Sequence, residues 1–293
     1  MNEIIVSDKY AVFTVEQNFD FTKNSTIGCG GVAPVAIYPK TIEECVMLSR
    51  YVSEDNLPYQ IVGNLSNVLP KSGVYDKLLI STKLLRLVTF DNGVFVQAGV
   101  MSGAFLQACK AQGLSGGEFL VGIPCTLGGA LYMNAGVAGA YISELVESVT
   151  VVRAGKLVEI PRAECGYSYK KSVFMQTNDF IVGAKLRLSS ADYESIQKRI
   201  RYYAGRRTHL PKGKSMGCVF KNPENLTAGK LIESAGLKGL RVGGAQVSSE
   251  HANFIINDKG ATPEQIRTLI KIIKNAVFAQ YNIRLEEEIR YLE

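Results

Sequence analysis

The sequence predicts an α+β protein of two units divided near residue 190, and three observations lead there. Short β-rich runs crowd the first half between separate helical segments, a basic helix from Asp192 to Ala204 leads into the second half, and no repeat or low-complexity tract suggests another architecture. With 293 residues the chain has room for two cores, expected over 1–189 and 190–293. A composition of 46% hydrophobic and 20% charged residues excludes disordered, collagenous and coiled-coil classes.

The elements follow in order. Thr41, after Pro39, opens an amphipathic helix carrying Ile42, Cys45, Val46 and Leu48 at helical spacing. Brief strands are expected at Tyr59 to Val62, Leu78 to Ser81, Leu85 to Phe90 and Val94 to Gln97, the last two joined by the turn Asp91-Asn92-Gly93. Ser102 to Gln112 reads as a helix. A hairpin is expected from Val149 to Ile160 with its turn at Ala154-Gly155, then a strand from Phe180 to Leu188. Beyond the basic helix come a helix from Thr227, a strand at Asn253 to Asn257 and a helix from Thr262 to Gln280. In the last segment Ile283, Leu285, Ile289 and Tyr291 alternate with Arg284, Glu286, Glu288 and Arg290, the pattern of a strand with one apolar face.

Phe119 to Ser143 runs without a charge, long enough on paper for a bilayer, but Pro124, Asn134 and five glycines argue for buried backbone around a ligand instead. No membrane partner is expected. The mixed polar start, Met1 to Lys9, does not read as a secretory leader, and the six cysteines form no C-x-x-C pair, so free thiols in a reducing cytoplasm are the expectation. The scattered cysteines and two histidines, His209 and His251, lack metal-site spacing.

The net charge of +6 is concentrated in Lys198, Arg199, Arg201, Arg206, Arg207, Lys212, Lys214 and Lys221, a stretch with no acid among them. No nucleic-acid-binding signature accompanies this run, which suits a phosphorylated small molecule or a solvated helix face. Gly63-Asn64-Leu65-Ser66-Asn67 follows a strand, where consecutive N–H groups and small side chains form an anion-binding nest or a plain turn. A second glycine-rich block, Gly122-Ile123-Pro124-Cys125-Thr126-Leu127-Gly128-Gly129, continues through Asn134, Gly136 and Gly139. Together the loops suggest a pyrophosphate cradled by backbone, without the G-x-G-x-x-G spacing of a Rossmann site. Gly217 to Pro223 brings a thiol, Cys218, together with Lys221 and Asn222, although by residue type alone Cys218 reads as an inert buried thiol.

Taken in order, these motifs resemble the UDP-N-acetylenolpyruvoylglucosamine reductase family, in its shorter branch. The resemblance rests on Asn24 to Gly31, Gly63 to Leu69, Gly122 to Gly139, Tyr169 to Phe174, Gly217 to Pro223, Gly244 to Asn257 and Leu285 to Arg290, seven blocks in the family's order. It implies an FAD-binding module of the vanillyl-alcohol oxidase type followed by a smaller α+β substrate-binding domain. It also implies NADPH-dependent reduction of the enolpyruvyl ether of UDP-N-acetylglucosamine to UDP-N-acetylmuramate, for peptidoglycan. The cofactors are then FAD and NADPH, and the partner a small-molecule UDP-sugar, with a monomer as the default assembly.

By motif the resemblance carries the family's catalytic arginine onto Lys170, its proton-donating serine onto Cys218 and its glutamate onto Glu288. Cofactor contacts fall on Gly63, Asn64, Leu65, Ser66, Asn67, Gly122, Ile123, Thr126, Gly128, Gly129, Asn134 and Gly136, and substrate contacts on Tyr169, Ser172, Lys221 and Asn222. Asn64 and Leu65 replace glycines of the family's loop, which threatens to crowd it. Cys125 stands where the family has glycine, raising the thought of a thioether to flavin. Two rival functions remain at this level: a paralogue oxidising another sugar or hydroxy acid, and a non-catalytic UDP-sugar binder.

Overall fold

The computed structural model describes residues 7–91 and 93–293, so Met1–Val6 and the expected turn residue Asn92 lie outside the described residues. The chain forms two compact units. The first comprises residues 1–17, 35–64 and 76–208, and the second 18–34, 65–75 and 209–293. This differs from a single division near residue 190 in two ways, each with a packing cause. The Tyr193–Gly205 helix stays with the first unit because Ile196 is buried and Tyr203 meets Phe119 edge-on, with ring centroids 6.4 Å apart. Two early segments join the second unit. Val68–Pro70 pairs in parallel with Arg290–Leu292, and the buried Asn257 amide donates to the carbonyls of Ile27 and Gly28 at 2.9 and 3.0 Å.

The first unit holds two main sheets. One runs in the order Thr14–Asp20, Val32–Tyr38, Leu78–Ser81, Tyr59–Val62, its described central pairs parallel. The other runs Lys156–Pro161, Val146–Arg153, Phe180–Leu186, Val94–Gln97, Val88–Thr89 and is antiparallel. The hairpin turns at Ala154 and Gly155, both with positive φ, as the sequence predicts. Thr41 caps the Ile42–Glu54 helix by accepting from the Glu44 N–H at 3.1 Å, and Cys45, Leu48 and Val52 face the core. Inside the uncharged stretch lies a short helix, Leu127–Met133, and among the described residues no helix is long and apolar enough to cross a membrane.

The expected strand Leu85–Phe90 shrinks to Val88–Thr89. Thr82–Leu84 turns as a 3₁₀ helix after Ser81, and the Gln97 side chain, rather than a ladder carbonyl, accepts from Leu87 N–H at 2.9 Å. In the second unit the antiparallel sheet runs Ser215–Cys218, Phe254–Asn257, Ala245–Val247, Arg241–Val242, with the Pro263–Tyr281 helix burying Ile266, Leu269, Ile270, Ile273 and Val277. A reciprocal cap between Thr262 and Gln265, with Pro263 at the first helical position, starts that helix. The final strand is confined to Arg290–Leu292 because residues 286–288 pair elsewhere, Lys221 N–H donating to Glu286 O and Glu288 N–H to Val219 O, both at 2.8 Å. Its alternation of faces survives. Leu285 and Ile289 are buried while Arg284, Glu286 and Arg290 are exposed.

Candidate functional site

In the first unit the two glycine-rich motifs meet. Asn64 Nδ2 donates to the Pro124 carbonyl at 2.7 Å, and a Cβ on Gly63 would overlap Thr126 Oγ1, so only glycine allows this approach. Thr126, wholly buried, caps the Leu127–Met133 helix through Gly129 N–H at 3.3 Å. Ser102, which sequence reasoning passed over, ties the same loop by donating its hydroxyl to Ile123 O at 2.5 Å and its N–H to Cys125 O at 3.0 Å.

The loops differ in what they offer an anion. Among the described residues the N–H groups of Asn64, Leu65, Ser66 and Asn67 have no acceptor, and Leu65 takes a left-handed φ of 53°. A left-handed residue in such a run curls successive N–H groups into a concavity suited to a pyrophosphate, which is the chemistry FAD requires there. Leu65 thus reproduces the backbone a glycine would adopt, with its side chain buried, and Asn64 turns its amide away to Pro124. The second block is largely spent internally. Leu127 and Gly128 N–H groups go to Val100 O and Ala98 O at 2.8 Å, and Ile123 and Cys125 are likewise bonded. Its glycines serve close packing. A Cβ at Gly128 would lie 2.9 Å from Ala98 Cβ, and one at Gly136 would overlap the Tyr141 ring, while Gly122 has a φ of 71°. The expectation of two equivalent phosphate loops gives way to one whose N–H groups have no acceptor among the described residues and one whose N–H groups are largely spent within the protein.

Cys125 is 8% exposed, and burial pushes its thiol up to about 11, so at neutral pH it holds its proton and is a poor nucleophile for a thioether. Tyr169 and Lys170 form the tip of a tight turn closed by Ser168 and Lys171, which exchange N–H···O bonds at 3.1 and 3.2 Å. Lys170 sits there at φ 53° and Tyr169 is exposed. The turn is anchored from behind. Asn134 Nδ2 donates to Ser168 O at 2.9 Å, and Ser172 Oγ donates to Tyr132 O at 2.6 Å. Ser172 is fully buried, so it supports the turn rather than presenting a hydroxyl, and Asn134 is likewise buried with both amide atoms engaged.

The second unit gathers Cys218, Lys221, Asn222 and Glu288. Cys218 is partly exposed whereas the other five cysteines are buried. Residue 219, next to it, accepts the Glu288 N–H through its carbonyl at 2.8 Å, so the segments that carry the two candidate catalytic residues are bonded to each other. Asn67 Nδ2 holds the Glu288 carbonyl at 3.0 Å, so the Asn67 side chain is engaged in the protein and only its N–H remains to offer a ligand. Lys221 pairs with Glu286, and Asn222 Oδ1 accepts from Ala228 N–H at 3.0 Å at the start of the Ala228–Ser234 helix. Asn253, at the start of the expected strand Asn253 to Asn257, has no role assigned by the sequence, and its buried amide bonds Phe220. The basic run is divided: Lys198 to Arg207 belong to the first unit, and only Lys212, Lys214 and Lys221 to the second. Lys214 lies along Gly28, where any Cβ would strike its stem.

Residues 208–292 match the UDP-N-acetylenolpyruvoylglucosamine reductase C-terminal domain, and residues 33–160 an FAD binding domain. The chain is 36% identical over 283 residues to the UDP-N-acetylenolpyruvoylglucosamine reductase of Carboxydothermus hydrogenoformans, covering 95% of this chain and 94% of that one. It is 38% identical over 272 residues to that of Geobacter metallireducens, covering 92% and 90%. The crystal structure of UDP-N-acetylenolpyruvylglucosamine reductase from Thermus caldophilus superposes with a TM-score of 0.84 at 32% identity, over 96% of this chain and all of the other.

Proposed function

The chain belongs to the UDP-N-acetylenolpyruvoylglucosamine reductase family, and from that premise we propose how its residues divide the FAD-dependent, NADPH-driven reduction of UDP-N-acetylglucosamine enolpyruvate to UDP-N-acetylmuramate, a step of peptidoglycan precursor synthesis. Bound FAD supplies the reducing equivalents, taken from NADPH and delivered to the vinyl terminus of the substrate. The N–H groups of residues 64–67 would hold its pyrophosphate, and Gly63, Gly122, Ile123, Thr126, Gly128, Gly129, Asn134 and Gly136 are the further cofactor residues that the family pattern assigns.

Adding electrons to the vinyl carbon leaves negative charge on its neighbour and on the attached carboxylate, and a cation must meet it. Lys170 carries that charge. Its ammonium is a point charge without the planar fork of the family's arginine, so it neutralises the carboxylate while fixing its plane less firmly. Cys218 protonates the carbon. A thiol, with an ordinary pKa of about 8.5, is a stronger acid than the serine hydroxyl of the family pattern. Glu288 accepts hydrogen bonds from the polar groups around the donor and orients them. Lys221 binds the diphosphate, exchanging its Glu286 partner for it, with Asn222 and Tyr169 as further substrate contacts.

The observation that supports the assignment of roles is the main-chain bond between residues 219 and 288, next to the one partly exposed thiol, Cys218. Purified protein should be yellow, and should consume NADPH steadily only when the enolpyruvyl UDP-sugar is added. A colourless protein that free FAD cannot reconstitute would overturn the reading.

A further inference from the structure

The strand Ser215–Cys218 pairs with Phe254–Asn257, but its register shifts between Ser215 and Cys218, and the regular ladder ends at the Cys218–Phe254 pair. The next two residues are both held by Asn253, whose side chain holds Phe220 and whose main chain holds Val219. Asn253 Oδ1 accepts the Phe220 N–H at 2.9 Å, Asn253 Nδ2 donates to the Phe220 carbonyl at 2.8 Å, and the Asn253 main-chain carbonyl accepts the Val219 N–H at 2.8 Å. The Val219 carbonyl in turn receives Glu288 N–H at 2.8 Å. Asn253 is only 3% exposed, so these bonds are made where water cannot replace them. Its amide imitates a strand partner, one acceptor and one donor facing a single residue, at a point where the main chain has left the ladder. On the far side of Cys218, Gly217 has a φ of 77° and open space where a Cβ would stand.

We propose that Asn253 is a positioning residue for the reductive chemistry: by clamping Val219 and Phe220 it sets the Cys218 thiol against Glu288. The inference rests on the assignment of Cys218 as proton donor. Placement is worth much in such a step, because an ångström of drift at a donor costs about 100-fold in rate.

The test uses the FAD-loaded protein in single turnover, with flavin reduction by NADPH and reoxidation by the enolpyruvyl UDP-sugar followed separately. Asn253→Ala should slow reoxidation by about 10- to 100-fold, leave flavin reduction within about twofold, and lower kcat while KM moves little. Where the alanine variant fails to fold, Asn253→Asp keeps the acceptor for Phe220 N–H and should show the same one-sided slowing. Introduced into Cys218→Ala, the Asn253 change should cost less than about threefold further, since residues acting through one another are not additive. A third readout needs no turnover: the rate of iodoacetamide labelling of Cys218 should change in the Asn253 variants while the protein keeps its flavin. Equal slowing of both half-reactions, or Asn253 and Cys218 losses that multiply in the double variant, would reduce Asn253 to scaffold. A slow Cys218→Ala beside a full-speed Asn253→Ala overturns the positioning role alone, and a full-speed Cys218→Ala overturns the donor assignment beneath it.

Discussion

A thiol stands at position 218 and an ammonium at 170, where the family pattern has a serine and an arginine, and each exchange has a measurable consequence. Cys218→Ala should leave flavin reduction by NADPH nearly intact while slowing reoxidation by the enolpyruvyl substrate about 100-fold or more, the usual worth of a positioned acid. Cys218→Ser should keep much of the activity. Stopped-flow flavin absorbance separates the two half-reactions, and equal effects on both would remove Cys218 from the donor role. Lys170→Arg should preserve or raise turnover, because the fork pairs both carboxylate oxygens; a large fall with the fold intact would mean the turn at Ser168–Lys171 is fitted to lysine or serves another purpose. The motif pointed to Cys218, but residue type could not say which of the six thiols reaches solvent. Cys218 is the one, in a strand whose register shifts between Ser215 and Cys218. Ser172 misled in the opposite sense. Its place in the motif suggested a substrate contact, while its hydroxyl is buried against Tyr132.

At the level of elements, Gly63 links strand, loop and helix cap. Gly63→Ala should weaken FAD binding, measured by titration of flavin fluorescence, because its Cβ overlaps Thr126 Oγ1, and Thr126→Ala in that background should restore part of it by removing the obstructing atom. The restoration is partial since the cap on the Leu127–Met133 helix is lost, at about 1 kcal/mol. Thr262→Ala should lower stability by a similar amount, about 1 kcal/mol, by opening the reciprocal cap with Gln265, and a denaturant midpoint checks it. Elements with local signals were legible: capped helices at 41, 192 and 262, and the hairpin turning at Ala154-Gly155. Elements decided by distant partners were not. Leu85–Phe90 looks like a strand until Gln97 takes its ladder position, and the alternation of residues 283–291 holds although residues 286 and 288 bond Lys221 and Val219 while 290 and 291 pair with residues 68 and 69. The helix at Leu127 hides behind two glycines that propensity counts against it.

Across the whole molecule, the α+β class was readable from the alternation of short strands and helices, but the division was not, because three distant pieces of chain build the second unit and sequence order says nothing of the parallel pairing of residues 68–70 with 290–292. The same division splits the basic run that looked like one patch. A pH response follows from the second unit, where His251 is pushed below its ordinary value by burial and then by His209, whose ring stacks 6.3 Å away. The folded state therefore prefers the neutral imidazole. Stability contributed there is complete above the unfolded value of about 6.5 and is lost as pH falls below it toward the lower folded value. The thermal midpoint should drop between about pH 7 and pH 5, and His251→Asn should flatten that slope. The central claim, that this chain reduces an enolpyruvyl UDP-sugar through bound flavin, is met most directly by anaerobic stopped-flow absorbance of the yellow protein. NADPH should bleach the flavin band and UDP-N-acetylglucosamine enolpyruvate should restore it with formation of UDP-N-acetylmuramate. A reduced flavin that oxygen reoxidises but this substrate does not would contradict the account.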